Sequence, residues 1–246
     1  MQATSSLHRS FDRKVTTLAT GGKSPKAKIG NSFGLPSGLE FSCPGATPDC
    51  LKVCYAGKLE KIFSGTRNLL MYNWALVKDA GITDTVVMID AMLKEFSDEC
   101  DKYGAEKLFR IHWDGDFFSM NYTEAWATVI LHRSDIQFWT YTRNPEAAWF
   151  LHSFKFDNLS LYFSADEYNQ DTAASLSFAG IKLAVMADTF DAGRELSKQI
   201  SGYNGIRCPE QTGQVPLITA NGKGACAECR LCIDGDHAIR FSVTKR

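Results

Sequence analysis

Three cysteines stand close together in one short stretch of the chain. Cys43, Cys50 and Cys54 are separated by six and three residues, in a segment that also contains proline and glycine. Thiolates are ligands of zinc and of iron–sulfur clusters, and three of them leave one position of a metal ion or of a cubane cluster open. Buried core cysteines seldom cluster in such a loop. The stretch therefore predicts a metal centre with an open position for substrate chemistry.

A second group of cysteines lies near the C-terminus, and its spacing is typical of metal ligands. Cys226, Cys229 and Cys232 follow one another at intervals of two intervening residues, and Cys208 precedes them. Four thiolates in this pattern fit a zinc ion or a [4Fe–4S] cluster, and the close spacing favours iron–sulfur. The eighth cysteine, Cys100, falls on the apolar stripe of a predicted helix, which assigns it to the core.

Polar residues follow the predicted β strands at the end where parallel α/β folds carry their working groups. His112 ends the second strand, and the turns that follow the second, third and fourth strands are Asp114-Gly115-Asp116, Tyr141-Thr142-Arg143 and Ser164-Ala165-Asp166. Because the carboxyl ends of parallel strands meet at one edge of a sheet, we expect these groups to line one pocket.

The side chains of this pocket indicate what it binds. Arg143 can hold a carboxylate or a phosphate through two hydrogen bonds. Asp114 and Asp116 can bind an amine, orient a hydroxyl or act as a general base if one of them is desolvated. Tyr141 can stack on a planar ring such as a nucleobase, although packing in the core is an equal alternative. We predict catalytic roles for Asp114, Asp116, Arg143 and Asp166.

Alternating strands and helices must position these groups. Strands are predicted at residues 38–42, 108–112, 136–142, 159–164, 181–187 and 205–208, with an edge strand at 238–243. Helices are predicted at 62–80 and 86–103, at 121–132 with Asn121 as the N-cap, and after the cap Asn144-Pro145. Nearly continuous apolar strands are typical of parallel sheets covered on both faces. The predicted fold is α/β, a partial (β/α)6 TIM-like barrel of parallel strands.

We predict one structural domain with three segments. Residues 1–30 form a basic N-terminal arm, residues 31–207 form the partial barrel, and residues 208–246 form a Cys-rich, metal-binding extension. The arm could contact phosphates, although a solvated terminus explains its composition equally well. Its cations, set against Asp12 alone, are Arg9, Arg13, Lys14, Lys23, Lys26 and Lys28.

The composition is that of an ordinary globular protein. The 246 residues have a formal net charge of −1 at pH 7 and are 44% hydrophobic, so no overall attraction to nucleic acid or membrane is expected. No apolar run has the length of a membrane span, and residues 1–20 lack the apolar core of a signal peptide. We expect a cytoplasmic protein without membrane contact, whose thiols stay reduced and are available to metals.

Together, the cysteine loop, the repeated βα units and the trailing cysteines resemble the radical S-adenosylmethionine (SAM) enzymes. The resemblance implies that Cys43, Cys50 and Cys54 hold a [4Fe–4S] cluster whose open iron binds SAM. It further implies that Gly115-Asp116 holds the SAM amino group, and that the C-terminal cysteines hold an auxiliary cluster. The spacing of the loop cysteines and the Asp-Gly-Asp turn differ from the CxxxCxxC loop and the Gly-Gly-Glu turn of that family.

A second resemblance is carried by Cys54-Tyr55-Ala56 and by the turn Gly115-Asp116-Phe117-Phe118. Both are similar to a phage and bacterial family known by a numbered gene-product label, over residues 30–235. This resemblance implies a phage protein, for which modification of nucleotides or nucleic acid is the expected setting. The candidate cofactor-binding residues are Tyr55, His112, Gly115, Asp116, Tyr141 and Ser164.

Three hypotheses for the function follow. The first is an iron–sulfur enzyme of the radical SAM type, with one or two [4Fe–4S] clusters, SAM, a nucleotide or nucleic-acid substrate and a reductant protein as partner. The second is a zinc-containing base-exchange enzyme similar to the tRNA-guanine and deazaguanine-DNA transglycosylases, in which Asp114 or Asp116 attacks the sugar carbon. The third is a zinc-stabilised nucleic-acid-binding module. The nearly neutral net charge counts against it, because nucleic-acid-binding domains are usually basic.

Overall fold

An open, all-parallel β sheet forms the centre of the fold. The computed structural model describes residues 6–17 and 28–244. The strands of this part of the chain are β1 (Ser32–Gly34), β2 (Leu108–Asp114), β3 (Gln137–Thr142), β4 (Leu159–Ala165), β5 (Lys182–Ala187), β6 (Ile206–Arg207) and β7 (Ile239–Ser242). They pair in the order β1-β2-β3-β4-β5-β7-β6, and each pairing is parallel.

Helices connect the strands and cover the sheet. They are a 3₁₀ helix (Arg13–Val15), α1 (Pro48–Val53), α2 (Tyr55–Ile62), α3 (Ser64–Val77), α4 (Ile82–Tyr103), α5 (Met120–His132), α6 (Pro145–Ser153), α7 (Gln170–Phe178), α8 (Phe190–Ser201), α9 (Ala225–Cys229) and α10 (Leu231–Asp234). In the described ranges, none of these helices is long and apolar enough to cross a membrane.

The predicted fold class is confirmed as α/β with a parallel sheet, but a barrel is not confirmed. Strands β1 and β6 are the two edges of the sheet. They do not pair with each other in the part of the chain that the structure describes, so the sheet stays open there. An open parallel sheet still brings the carboxyl ends of neighbouring strands to one edge. The expected clustering of strand-end residues therefore does not depend on closure.

The strand predicted at residues 38–42 is wrong, because these residues form turns. The Gly38 carbonyl accepts hydrogen bonds from the backbone nitrogens of Phe41 and Cys43, both at 3.1 Å, and Gly38 has a φ of 120°. The first strand is β1, which lies earlier in the chain. Its three residues are too few to give an alternating pattern. The loop that carries Cys43 therefore starts one turn after the strand rather than at its end.

The strand predicted at residues 238–243 exists, but it is not at the edge. β7 lies between β5 and β6 and pairs with both. The two-residue strand β6 forms the edge instead. The segment after residue 207 thus contributes an interior strand to the sheet, in which even the polar residues Arg240 and Ser242 are buried. Its burial is clearest at Ile239, which is fully buried.

Two local predictions about helices are confirmed and one is wrong. Cys100 is buried in the core on the α4 stripe together with Ile89 and Phe96, so the core assignment of this cysteine holds. Asn144 caps α6 by accepting hydrogen bonds from the nitrogens of residues 146 and 147, with Pro145 in the first turn. The N-cap of α5 is Ser119 and not Asn121, which lies inside the helix.

The two faces of the sheet are covered differently. Helices α4 and α5 cover one face, where the largest apolar cluster includes Phe109, Trp126 and Phe138. The 3₁₀ helix, α9 and α10 cover the other face, where Trp139 and Ile233 belong to a smaller cluster. Short helices from both ends of the chain therefore fill the face that the longer helices leave open.

The described part of the predicted N-terminal arm packs against the rest of the protein. Ser10 forms an antiparallel bridge to Ser32 of β1. Arg9 forms an ion pair of 3.0 Å with Glu99, and Lys14 forms one of 2.9 Å with Glu210. These two cations are thus neutralised within the chain. The predicted cations Lys23 and Lys26 lie outside the described residues.

Candidate functional site

Thr47 connects the cysteine loop to the carboxyl edge of the sheet. Its Oγ1 caps α1 by accepting a hydrogen bond of 3.2 Å from the Cys50 nitrogen. The same hydroxyl donates a hydrogen bond of 2.5 Å to Asp166 Oδ2, at the end of β4. One side chain therefore both begins the helix that carries Cys50 and fixes the loop to a strand end.

An ion pair between strand ends lies beneath this loop. Arg143 Nη1 lies 2.6 Å from Asp166 Oδ2, and both side chains are buried. The same nitrogen donates to Thr47 Oγ1 at 3.3 Å. Gly45 packs so closely on the Arg143 carbonyl that a Cβ atom at Gly45 would overlap it. The loop thus contacts the end of β3 through its backbone, a position that requires glycine.

Asp116 organises the turn after β2. Its Oδ1 accepts hydrogen bonds from Thr142 Oγ1 (2.6 Å) and from the Phe117 nitrogen (2.7 Å), and its Oδ2 accepts one from the Arg143 nitrogen (2.7 Å). Burial raises the pKa of Asp116 to about 6, and these hydrogen bonds oppose the increase. Both oxygens are engaged by the protein. A ligand amine at Asp116 would have to share these oxygens with donors of the chain.

Gly115 allows the close approach of this turn to the loop. Its φ is 78°, and a Cβ at this position would overlap Ser42 Oγ and the Leu35 carbonyl. Residues larger than glycine are therefore disfavoured at position 115, both by the positive φ and by the overlap of a Cβ with its neighbours. Gly115 thus lies against the segment that leads into the cysteine loop, and its role in cofactor binding stays a prediction.

Asp114 and Glu60 form a buried pair of carboxyl groups next to the loop. Asp114 is 3% exposed and Glu60 is 7% exposed. Burial, followed by the neighbouring Glu60 charge, raises the pKa of Asp114 to about 8, so its protonated form predominates at pH 7. A carboxyl group with this pKa is ready to lose its proton when a cation binds beside it.

The hydrogen bonds of this pair leave one oxygen for a ligand. Glu60 Oε1 accepts from the nitrogen and the hydroxyl of Ser37, at 2.9 and 2.5 Å. Asp114 Oδ1 accepts from the Gly115 nitrogen at 2.9 Å. Asp114 Oδ2 is buried, and no donor among the described residues reaches it. The protonated Asp114 also forms a hydrogen bond with Glu60, so an ammonium group at this oxygen would replace the proton of the carboxyl pair.

The carboxyl pair adjoins the third cysteine of the loop. A Cβ built on Gly57 would lie 2.9 Å from Ser37 Oγ and 3.5 Å from Cys54 Sγ. Ser37, which donates hydrogen bonds to Glu60, and Cys54 therefore both lie next to Gly57. The cysteine loop and the carboxyl pair form one site, which we call the loop site.

The three cysteines of the loop site are half-buried free thiols. Burial, and then the Asp116 charge, raises the pKa of the Cys43 thiol to about 12. Burial also raises the pKa of Cys50, and the Arg143 guanidinium opposes this shift. Cys54 Sγ accepts a hydrogen bond of 3.3 Å from the Gly57 nitrogen at the start of α2. Without a bound cation, the first two thiols are therefore protonated at neutral pH.

In the described residues, the cysteine loop is not arranged to hold a metal ion. Zinc needs all its ligands about 2.3 Å from one point. Among residues 6–17 and 28–244, no group of three or more His, Cys, Asp or Glu side chains could hold a metal ion, and this includes both cysteine groups. Each cysteine of a cubane binds a different iron atom, so its thiols are spread over a larger volume. The iron–sulfur cluster that the sequence predicts for the loop stays a prediction.

The four C-terminal cysteines lie on the other face of the sheet. Cys226 and Cys229 are in α9, Cys232 is in α10, and Cys208 follows β6. Burial raises the pKa of Cys232 to about 11, and the thiolate charges of Cys208 and Cys229 contribute to the increase. The four thiols are therefore neighbours, although the metal that the sequence predicts for them stays a prediction.

Tyr141 belongs with this C-terminal group and not with the loop site. A hydrogen bond from its hydroxyl to Cys232 lowers the pKa of that thiol against the effect of burial. The Tyr141 ring packs against Tyr162 and Phe241. The Tyr162 hydroxyl donates to the Leu231 carbonyl at 3.1 Å, which fixes α10 on the sheet. Tyr141 thus lies beside the C-terminal cysteines, and its role in cofactor binding stays a prediction.

His112 is also placed away from the loop site. It has a φ of 59°, which turns its ring toward the helix layer, where it packs against Phe117 and Trp126. Its Nε2 forms a hydrogen bond of 2.8 Å with the Tyr122 hydroxyl. Burial lowers the pKa of His112 to about 3, so the ring is neutral. Its position is that of a core histidine.

The other predicted site residues lie along the carboxyl edge of the sheet. The Ser164 carbonyl accepts a hydrogen bond of 3.0 Å from Asn169, which shapes the turn to Asp166. Tyr55 begins α2, and its hydroxyl donates to the Trp113 carbonyl at 3.0 Å. The edge thus brings together Asp114, Asp116, Arg143, Asp166 and the loop cysteines.

Three residues of the site, Thr47, Ser37 and Glu60, were not predicted. The Thr47-Pro48 pair is a recognisable helix start, but its contact with Asp166 has no sequence signal. Glu60 is a single acidic residue on a short helix, which is usually a solvated position. Only its burial next to Asp114 distinguishes it.

Comparison with known proteins identifies the family. A family model described as Gene product 88 matches residues 6–235. The chain belongs to the Gene product 88 family. The matched range includes both cysteine groups, Glu60 and each of the strand ends described above. The expectation of a numbered gene-product family is thereby confirmed.

Two relatives extend the Gene product 88 match over nearly the whole chain. The Gene 88 protein of Mycobacterium phage D29 is 50% identical over 244 residues, which cover 98% of this chain and 99% of the relative. The Gene 88 protein of Mycobacterium phage L5 is 49% identical over 242 residues, with the same coverage. Both are phage proteins, in agreement with the expected phage setting. No solved structure matches the chain.

Proposed function

We propose that this Gene product 88 protein is an iron–sulfur enzyme of the radical SAM type that modifies a nucleotide or a nucleic-acid base. The observation that carries the proposal is the loop site. Three half-buried thiols share one loop, which is fixed over the carboxyl edge of a parallel sheet by the contact between Thr47 and Asp166. Ligands of open α/β sheets bind at this edge.

The chemistry of the donors supports a [4Fe–4S] cluster on Cys43, Cys50 and Cys54. Three thiolates leave one iron without a protein ligand. When bound there, such a cluster supplies an electron for the reductive cleavage of SAM to a 5′-deoxyadenosyl radical. The protein's part is to hold the three thiolates in the loop and to keep the reacting groups at the sheet edge.

The remaining groups of the loop site suit the two ends of an amino acid. Asp114 Oδ2, buried and without a donor among the described residues, can accept an ammonium group, and Glu60 adds a second negative charge beside it. Arg143 makes both of its side-chain hydrogen bonds through Nη1, which leaves its other donors for a carboxylate. This assignment transfers the amine-binding role from Asp116 to Asp114.

The base-exchange hypothesis receives less support from the same carboxyl groups. A carboxylate nucleophile must be ionised and free to approach the sugar carbon. Asp114 has a pKa of about 8, and the oxygens of Asp116 are held by three hydrogen bonds. Neither group is ready for nucleophilic attack. The third hypothesis, a zinc-stabilised binding module, does not account for a buried carboxyl pair beside the cysteine loop.

Anaerobic purification followed by iron, sulfide and zinc analysis tests the proposal. We expect about four irons and four sulfides for each cluster, a broad visible absorption that dithionite bleaches, and production of 5′-deoxyadenosine from SAM. Cys50→Ala should remove the cluster of the loop site and the cleavage of SAM. Cys100→Ala is the matched control, because Cys100 is a free thiol in the core, and it should leave iron content unchanged.

Two outcomes would overturn the proposal. One is a colourless protein that contains zinc alone after anaerobic purification. The other is a Cys50→Ala variant that keeps its full iron content and continues to cleave SAM. The first outcome would make a base-exchange assay on DNA and tRNA the next experiment.

A further inference from the structure

An exposed surface beside the loop site combines cations with apolar rings. It consists of Tyr55, Lys58, Lys61, Ile62, Phe63 and Arg67, which we call the α2 surface. All six residues are exposed. The exposed fraction is 54% for both Tyr55 and Phe63. Two exposed aromatic rings and three cations therefore lie within thirteen consecutive residues, from Tyr55 to Arg67.

Helix geometry places the first four of these residues on one side of α2. Residues three and four positions apart are neighbours on a helix, so Tyr55, Lys58 and Ile62 form one row, with Lys61 beside it. The buried side of α2 is formed by Ala56 and Glu60. These four residues therefore lie on the side of α2 opposite Glu60, which the same helix contributes to the loop site.

The charge of this region is strongly positive. Between residues 50 and 77 the chain has four cations, Lys52, Lys58, Lys61 and Arg67, and a single acidic residue, Glu60. Glu60 is buried and accepts its hydrogen bonds from Ser37. Across the described residues, none of the four cations takes part in an ion pair. This contrasts with Arg9 and Lys14, which are neutralised inside the chain.

Tyr55 provides a ring whose orientation is fixed. Its hydroxyl donates a hydrogen bond of 3.0 Å to the Trp113 carbonyl, while half of its surface stays accessible. A planar ring that is held at one end and exposed on its side can stack on a nucleobase without losing further conformational freedom. Tyr55 directly follows Cys54, so a base stacked on it would lie next to the cysteine loop.

We infer that the α2 surface binds a single-stranded nucleic acid, with phosphates on Lys58, Lys61 and Arg67 and bases on Tyr55 and Phe63. Aromatic rings among cations are the surface that single strands require, because their bases are free to stack. A duplex would offer only its phosphates. The inference rests on the proposed function for what is done to the bound base, but binding itself requires no cluster.

Fluorescence anisotropy with a 5′-labelled single-stranded dT20 oligonucleotide tests this inference on the full chain. We expect binding that weakens with salt, with a logarithmic slope of about −0.7 for each phosphate contact. The Lys58→Glu/Lys61→Glu variant should bind about tenfold more weakly and reduce the slope by about 1.4, since two contacts are lost. Tyr55→Ala should weaken binding about tenfold, whereas Tyr55→Phe, which keeps the ring, should retain most of it.

The matched control is Lys102→Glu/Lys198→Glu, which makes the same change in net charge at two exposed lysines of α4 and α8. We expect it to change the affinity less than twofold. Equal losses in the two double variants would mean that only net charge matters, and this would overturn the inference. So would dT20 binding that is absent at low salt, or binding of anionic lipid vesicles by the α2 surface in place of dT20.

The outcomes separate this inference from the proposed function. If dT20 binds through the α2 surface in a protein that holds no iron, the radical SAM proposal fails and the binding surface stands. If the iron content and SAM cleavage are as expected but dT20 does not bind, the surface assignment fails and a free nucleotide becomes the substrate to examine. Circular dichroism and the iron content of each variant verify that the fold and the loop site are unchanged.

Discussion

Thr47 Oγ1 donates a hydrogen bond of 2.5 Å to Asp166 Oδ2 across 119 positions of the chain. The loop that carries the candidate ligands is thereby tied to the end of β4, and Arg143 joins the same carboxylate at 2.6 Å. The position of the loop cysteines over the sheet therefore depends on a charge pair that lies below them. This relationship allows the stability of the loop site to be tested separately from its chemistry.

We predict that Asp166→Asn is strongly destabilising. The variant leaves the buried Arg143 guanidinium without its counter-charge, and breaking a buried pair in this way costs about 3–5 kcal/mol. Urea denaturation measures the free energy of unfolding. The control is Asp98→Asn, which breaks the exposed pair between Lys94 and Asp98 and should cost less than about 0.5 kcal/mol. Similar losses in both variants would contradict the importance of the buried pair.

We predict that Gly115→Ala destabilises the fold more than Gly104→Ala does. Both glycines have positive φ, 78° and 65°, so each substitution costs about 1 kcal/mol from backbone strain. Only at Gly115 would the new Cβ overlap Ser42 and Leu35, whereas nothing lies within 4 Å of a Cβ at Gly104. The overlap should add about 1–3 kcal/mol. Thermal and urea unfolding of the two variants measure the difference, and equal costs would contradict the close packing of the turn.

We predict that stability decreases from pH 6.5 to pH 8 because of Asp114. Its pKa is about 8 in the folded protein, against an ordinary value of 3.8, so in this range the folded state holds a proton that the unfolded state has lost. The free energy of unfolding then falls as the pH rises, by at most about 1.4 kcal/mol per unit. Asp116, with a pKa of about 6, acts in the same direction but mainly below this range.

Asp114→Asn should remove most of this slope, because the amide does not titrate. Urea unfolding at half-unit intervals of pH measures it. Glu124→Gln, at an exposed position on α5, serves as the control and should leave the slope as it is. If the free energy of unfolding of Asp114→Asn still falls with pH in the same way, a group other than Asp114 holds the proton in the folded state.

We predict that the two cysteine groups lose metal independently. The C-terminal group lies against Tyr141 on the face of the sheet that α9 and α10 cover, whereas the loop cysteines lie at the carboxyl edge. Cys232→Ala should remove the metal of the C-terminal group and leave the iron of the loop site, and Cys50→Ala should do the reverse. Metal analysis of both variants tests this, and joint loss of both metals in either variant would contradict it.

Local signals in the sequence predicted much of the fold. The Asn144-Pro145 cap and the apolar stripe through Ile89, Phe96 and Cys100 depend on neighbours within a few residues, and both were found as expected. The order of the strands depends on pairing between distant segments, so β7 was placed at the edge instead of the interior. β1 was not predicted, because its three residues are too few to show the alternating pattern of a strand.

The same distinction applies to the loop site. The cysteines and the acidic turn after β2 were predicted from residue type and spacing. The choice between Asp114 and Asp116 required knowledge of which oxygens the protein itself uses, and this is set by Thr142 and Arg143 on another strand. Glu60 could not be predicted, because its burial results from the packing of α2 against the end of β2.

The interior position of β7 has a consequence for how the protein is made. Among the strands of the described residues, β6 pairs with β7 alone, so β6 lacks a neighbour from this sheet until β7, the last of these strands, has left the ribosome. Until then, β5 is an unprotected edge that can pair with other chains. A chain shortened before residue 239 would keep all eight cysteines but lack the strand that completes the sheet. We therefore expect such a chain to aggregate during synthesis rather than accumulate as a metal-loaded fragment.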